Sequence, residues 1–198
     1  MIKRLIVIIP IIAISFTALR TFLGLYVADV YFEKSQDALQ GRQLDKAIEF
    51  ANLAVDRNPL EPNYYRGRAK VYIVSLLGLD EKTAFLIKNN ALSDLQEAYK
   101  LNTHNLVTIR NVIPLYYFLA AKDLSKPAST DNVDERFLPV TRDFYRKIKD
   151  VSPNDVGVCV LLAKYEKRLG LMDDYEESIQ KIKDLRPDLL QWNPSLRE

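Results

Sequence analysis

Residues 28–59, ADVYFEKSQDALQGRQLDKAIEFANLAVDRNP, carry the same apolar period twice, on either side of a break. In the first half Ala28, Tyr31, Phe32, Ser35, Ala38 and Leu39 recur three and four apart, the spacing that gathers side chains on one helix face. Gln40-Gly41-Arg42-Gln43 interrupts the pattern, and Gly41 is the residue expected to take the left-handed conformation at the helix end. Leu44, Ala47, Ile48, Ala51, Leu53, Ala54 and Val55 restore the period until Pro59, which lacks a backbone donor, ends it. The small Ala47, Ala51 and Ala54 allow two helices to approach closely. Such a hairpin has one apolar face that it cannot bury alone, so a stable chain must stack several.

The unit recurs. Asp150-Val-Ser-Pro153 and Asp184-Leu-Arg-Pro187 close later helices on prolines 34 residues apart. Between them residues 156–163 make a first helix, Arg168-Leu169-Gly170 a turn, and residues 174–183 a second helix. This segment, together with Tyr31, Ala47, Ala54 and Pro59 in the first hairpin, resembles the tetratricopeptide repeat (TPR), whose period is 34 residues. The second hairpin starts at Pro62 and carries Tyr65, Ala69, Tyr72, Ile73, Leu76 and Leu77 up to Gly78. Asp80 caps its partner helix, with Ala84, Phe85, Ile87, Ala91, Leu92, Leu95, Ala98 and Leu101 inward. Ala91 and Ala98 lie 44 residues after Ala47 and Ala54, so this unit holds ten residues beyond the standard period. The third hairpin runs from near Asn105 through Val107, Ile109, Val112, Ile113, Leu115, Tyr116, Leu119 and Ala120, with Pro114 expected to kink or split it. A polar surface loop over 123–134 leads to its second helix at 137–151. In the tail, 188–198, Leu189, Leu190 and Trp192 are expected to cover the open end of the array.

Ahead of the repeats, Met1-Ile-Lys-Arg4 is a basic head and residues 5–19 hold no charge. From Leu5 to Val27 is 23 residues, about 34 Å as a helix, enough for a bilayer core of about 30 Å. Arg20 sits about two turns from the outer end, where its stem reaches the headgroups. The expectation is a single-pass anchor over 1–27, with a cleaved signal peptide as the rival reading. Lys3 and Arg4 place the N-terminus in the cytoplasm and residues 28–187 outside the bacterial cytoplasmic membrane.

Composition excludes much chemistry. Charged residues are 27% of the chain, interspersed, with a net charge of +2, which argues against nucleic acid. His104 is the only histidine, so multi-histidine metal sites are ruled out. The six glycines are scattered, which leaves no phosphate-cradling loop. Cys159 lies in an apolar run and reads as a packed small side chain. Asp173, Asp174, Glu176 and Glu177 fall in the first turns of a helix, where negative charge suits the dipole. No catalytic residue, metal site or cofactor is expected.

The expected function is binding. In tetratricopeptide arrays the first helix of each pair lines a groove for peptides. The resemblance assigns that face to Arg66 and Lys70 in the second unit, Arg110 and Asn111 in the third, and Lys164, Lys167 and Arg168 in the fourth. Such a row suits an acidic peptide segment or a C-terminal carboxylate. The carboxylate-clamp version of the family has a Lys and an Asn in its first repeat, where Phe32 and Gln36 stand here. Residues 14–68 also resemble the membrane-to-repeat junction of bacterial O-antigen ligase or polymerase-like proteins. The chain is therefore expected to be all-α: a transmembrane helix, then an α-solenoid of about four TPR-like hairpins. Its expected role is a membrane-anchored scaffold for a protein partner. The alternative is an accessory or detached TPR module of a polysaccharide ligase or polymerase system.

Overall fold

The computed structural model describes residues 2–126 and 129–192; the side chains of 2–10, Ala13, 191 and 192 are outside the description. The described residues form α1 (Ile2–Gln40), α2 (Leu44–Arg57), α3 (Pro62–Val74), α4 (Glu81–Leu101), α5 (Leu106–Ala120), α6 (Leu138–Val151), α7 (Val156–Arg168), α8 (Met172–Leu185) and the short α9 (Asp188–Trp192). Consecutive helices pair as hairpins, α1 with α2, α3 with α4, α5 with α6 and α7 with α8. The first helices of the pairs also pack in series, α1 on α3, α3 on α5 and α5 on α7, which makes the array a solenoid of four helical hairpins.

The starts of the helices follow from local chemistry. Asp80 accepts from the amides of Lys82 and Thr83, Asn105 from Val107 and Thr108, and Asp155 from Val158, each satisfying donors that a helix N-terminus leaves free. Pro62 occupies the first turn of α3 behind Glu61, whose carboxylate accepts from the Asn63 amide. The two ends at Gln40 and Arg168 close alike. Gln43 N–H reaches Ala38 O and Leu171 N–H reaches Glu166 O, the long hydrogen bond of a left-handed cap. The left-handed residue is Gly170 in the second case but Arg42 (φ 57°) in the first, not Gly41 as expected. Helix α1 runs through Gln40, so the residue that reverses the chain falls one position later.

The main core is continuous through Ala69, Leu95, Ile113, Tyr116, Phe144, Tyr145 and Leu162, which draws on α3 to α7. Pro114 does not split α5, which runs unbroken to Ala120. Seven of the ten extra residues of the second unit lengthen α4, which has 21 residues against 14 for α2, and three lengthen the turn before it, 75–80 against 41–43. Helix α3 ends at Val74, ahead of Gly78, and this leaves Leu77 exposed in the turn instead of on the inner face. The connection after α5 is more than a surface loop: Ala121 bridges to Val133, and Asn132 and Asp134 are buried. Leu189 and Leu190 of α9 pack on the cluster of Cys159, Ala163 and Ile182. The side chain of Trp192 and residues 193–198 lie outside the description.

Among the described residues no helix is long and apolar enough to cross a membrane. The expected span includes Leu5 to Pro10 and Ala13, whose side chains are outside the description. What is described of it is a helical rod continuous with the first repeat helix, on which Ile11, Ile12, Ile14, Phe16, Leu19, Phe22, Leu23 and Tyr26 are exposed.

Candidate functional site

Each first helix has a stripe that faces neither its hairpin partner nor the next helix in the layer. In α3 the buried positions are Tyr64, Gly67, Ala69, Val71 and Ile73, and Arg66 and Lys70 lie between them on the outer side. Arg66 is half-buried, and loss of water lowers its pKa against the pull of Glu61. Lys70, one turn on, is exposed and has no ion pair among the described residues. In α5 the stripe is Val107, Arg110, Asn111, Pro114 and Phe118, and in α7 it includes Leu161, Lys164 and Arg168.

Not all the expected groove residues are equally available. Arg110 is engaged: its Nη2 donates to both oxygens of Asp155 at 2.8 Å, tying α5 to the start of α7. A Cβ on Gly157 would come within 2.9 Å of that nitrogen, so the glycine admits the guanidinium. Burial would raise the pKa of the Asp155 carboxyl, but this bifurcated bond and the Val158 amide hold it below its usual range. Asn111 donates to Val107 O one turn back, which leaves its carbonyl toward solvent. Lys164 lies 5.5 Å from the centre of the Tyr165 ring and Lys167 5.6 Å from Tyr175. Arg168 sits over both Tyr117 and Tyr165, at 5.9 and 5.8 Å. Arg66, Lys70, Lys164 and Arg168 thus keep charge toward the open face, with the α5 stripe between them.

Apart from Arg110 and Asn111 that middle stripe is apolar, a feature not evident from the sequence. Val107 is 65% exposed and Phe118 37%, on the opposite side of α5 from Ile109, Val112, Ile113 and Tyr116. The signal was available in the spacing 107, 111, 114, 118, but α5 is apolar all round and its period cannot tell the two faces apart. Phe32 and Gln36 turn toward α3 and crowd Gly67.

A second feature invisible in the sequence is a set of buried ion pairs between hairpins. Lys88, 4% exposed, donates to Ala121 O at 2.7 Å and to Asp134 at 2.9 Å. Burial lowers the Lys88 pKa, with Asp134 opposing. Burial would raise that of Asp134, but the bonds from Arg136 and Lys88 bring it down to about 2. Asp174 stands in the first turn of α8 as expected, and it is also buried, taking Arg142 at 2.6 Å and Arg146 at 2.8 Å. Glu166 is wholly buried: Ser178 donates to its Oε2 at 2.7 Å, and the Lys149 ammonium lies 3.1 Å from Oε1. These groups bind helices to one another, and Lys88, Asp134 and Arg136 also line a cavity of about 800 Å³ beside Leu76 and Phe85. No cluster of metal-ligating side chains occurs among the described residues. Cys159 is buried, and desolvation raises its thiol pKa, the condition of an inert packed cysteine.

No family model matches the chain, and no curated protein does. Among solved structures it is similar to the Arabidopsis OM64 TPR domain, with a TM-score of 0.48 and 16% identity, over 73% of this chain and 98% of that one.

Proposed function

We propose that the protein is a non-catalytic, membrane-anchored scaffold that holds an acidic segment of a protein partner on the open face of α3, α5 and α7. The observation that carries this reading is the arrangement on that face: Arg66 and Lys70 on one side and Lys164 and Arg168 on the other, across the exposed Val107 and Phe118. Cations flanking an apolar strip match a peptide that alternates carboxylates with aliphatic side chains, or one ending in a free carboxylate. Anchoring is supported by the continuity of α1 and by the exposure of its large apolar side chains from Ile11 to Tyr26. Lys3 and Arg4 favour a cytoplasmic N-terminus in the bacterial cytoplasmic membrane, with the hairpins on the far side. The resemblance of the junction to O-antigen ligase-like proteins has no family match behind it and adds nothing to this reading.

The test is binding of a fluorescein-labelled Glu/Leu peptide with a free C-terminus to the full chain in detergent, read by anisotropy. Its amidated form and its Lys/Leu counterpart serve as comparisons. Charge reversal at Arg66 and Lys70 together is expected to abolish binding, and added salt to weaken it. Equal binding of the Lys/Leu peptide, or indifference to the reversal, would refute the groove. Topology is read separately in the Cys159→Ala background with a cysteine appended after Glu198. Labelling of intact cells by a membrane-impermeant maleimide is expected, and protection until lysis would reverse the orientation.

A further inference from the structure

We infer that the turn between α2 and α3 is a second membrane contact, with Leu60 seated at the boundary between lipid headgroups and acyl chains. This contact presupposes the anchored α1 proposed above and adds to it the placement of the hairpins on the bilayer.

The register of α1 against α3 locates the turn. The Tyr64 hydroxyl donates to the Asp29 carboxylate. One turn later Gly67 faces the Phe32 ring, so closely that a Cβ there would overlap it. Both pairs are 35 residues apart, so the two helices run parallel with each α3 residue beside the α1 residue 35 positions earlier. Carried back one turn, this places Leu60 level with Leu25. Leu25 lies on the same side of α1 as Phe32, one heptad away, and belongs to the apolar length that includes Phe22, Leu23 and Tyr26.

Leu60 is 75% exposed, the highest value for a large hydrophobic among the described residues. It is not on a loose loop. Its N–H donates to Asn58 Oδ1 at 3.3 Å, and Glu61 immediately opens α3. An ordered turn therefore holds an unpaired leucine at the height where α1 passes from apolar to polar surroundings. Tyr26 at that height is an interfacial residue type, and the exposed Arg57 in the last turn of α2 is placed to meet lipid phosphate. The turn at the opposite end of the first hairpin, Gln40 to Gln43, presents only polar side chains and glycine. The exposed Leu77 and Leu79, also at the far end, line a cavity of about 800 Å³ against the connection after α5. Depth readings along the chain can therefore tell the two ends apart.

The experiment uses the full chain in vesicles of phosphatidylcholine and phosphatidylglycerol, in the Cys159→Ala background. A single nitrobenzoxadiazole label is attached at Leu60→Cys, Phe16→Cys or Gln40→Cys. Emission is read with lipid bearing a shallow nitroxide and, separately, with aqueous iodide. The label at 60 is expected to shift to the blue, to lose emission to the nitroxide lipid and to resist iodide. The label at 40 is expected to do the reverse, and the label at 16 to report the anchor. If the label at 16 is lipid-quenched while that at 60 behaves like that at 40, the second contact is overturned and the anchor stands. If the label at 16 is itself open to iodide, both fall.

Discussion

Glu166 to glutamine is the substitution that tests most directly how the last hairpin is held. The carboxyl is fully buried between α7 and α8, with Ser178 on one oxygen and Lys149 near the other. Burial, only partly offset by Ser178 and Lys149 and reinforced by Asp174, raises its pKa from 4.5 to about 7. A folded-state pKa above the unfolded value means the folded chain binds the extra proton more tightly. The contribution is therefore full below about pH 4.5 and is lost as pH rises through about 7. At about 1.4 kcal/mol per pKa unit, the window is worth about 3 kcal/mol. Glutamine keeps the shape and can accept from Lys149, which also retains Glu177 at 2.9 Å and Asp174 O at 2.7 Å. Urea unfolding of the full chain in detergent, followed by circular dichroism from pH 5 to 8, reads the effect. The wild type is expected to lose stability with rising pH, and Glu166→Gln to lose less, with the difference growing to about 3 kcal/mol at pH 8. Subtracting the two profiles removes the contribution of Asp94, whose pKa is also raised by burial against Arg68. Parallel profiles would refute the buried, proton-binding Glu166.

Gly67→Ala gains about 1 kcal/mol of helix propensity but forces its Cβ into the Phe32 ring, at a net cost of about 2 kcal/mol. Adding Phe32→Leu is expected to recover most of it in a thermal-melt double-mutant cycle. Arg42→Gly is expected to stabilise by about 1 kcal/mol, because Arg42 holds φ 57° where glycine carries no Cβ penalty. Lys88→Met leaves Asp134 buried beside Arg136 alone and is expected to cost about 3 kcal/mol in denaturant unfolding, with Asp134→Leu added on top restoring part of it.

The legible parts of this chain are those decided within a few residues. Apolar period, proline stops and the cap at Asp80 depend on neighbours in sequence, so the hairpins and their order follow from the residues themselves. A helical period likewise fixes which side of a helix opposes the apolar one, and Arg66, Lys70, Lys164 and Arg168 lie on outward stripes. Where each charge ends up was not legible. Arg110 and Lys70 occupy similar stripe positions, yet only Arg110 meets a carboxylate, because Asp155 begins a helix 45 residues away. Lys88 and Glu166 lie on the flanks of amphipathic helices, where a sequence reading leaves charges in water. Each is buried by an element that arrives from elsewhere, the connection after α5 for Lys88 and the facing α6 and α8 for Glu166. The register of α1 against α3 likewise rests on Gly67 accepting a ring from another hairpin. Local period decides that a helix has an inside and an outside. Only the packing of distant helices decides how much of its flank the inside takes, and so which charges are left for a partner.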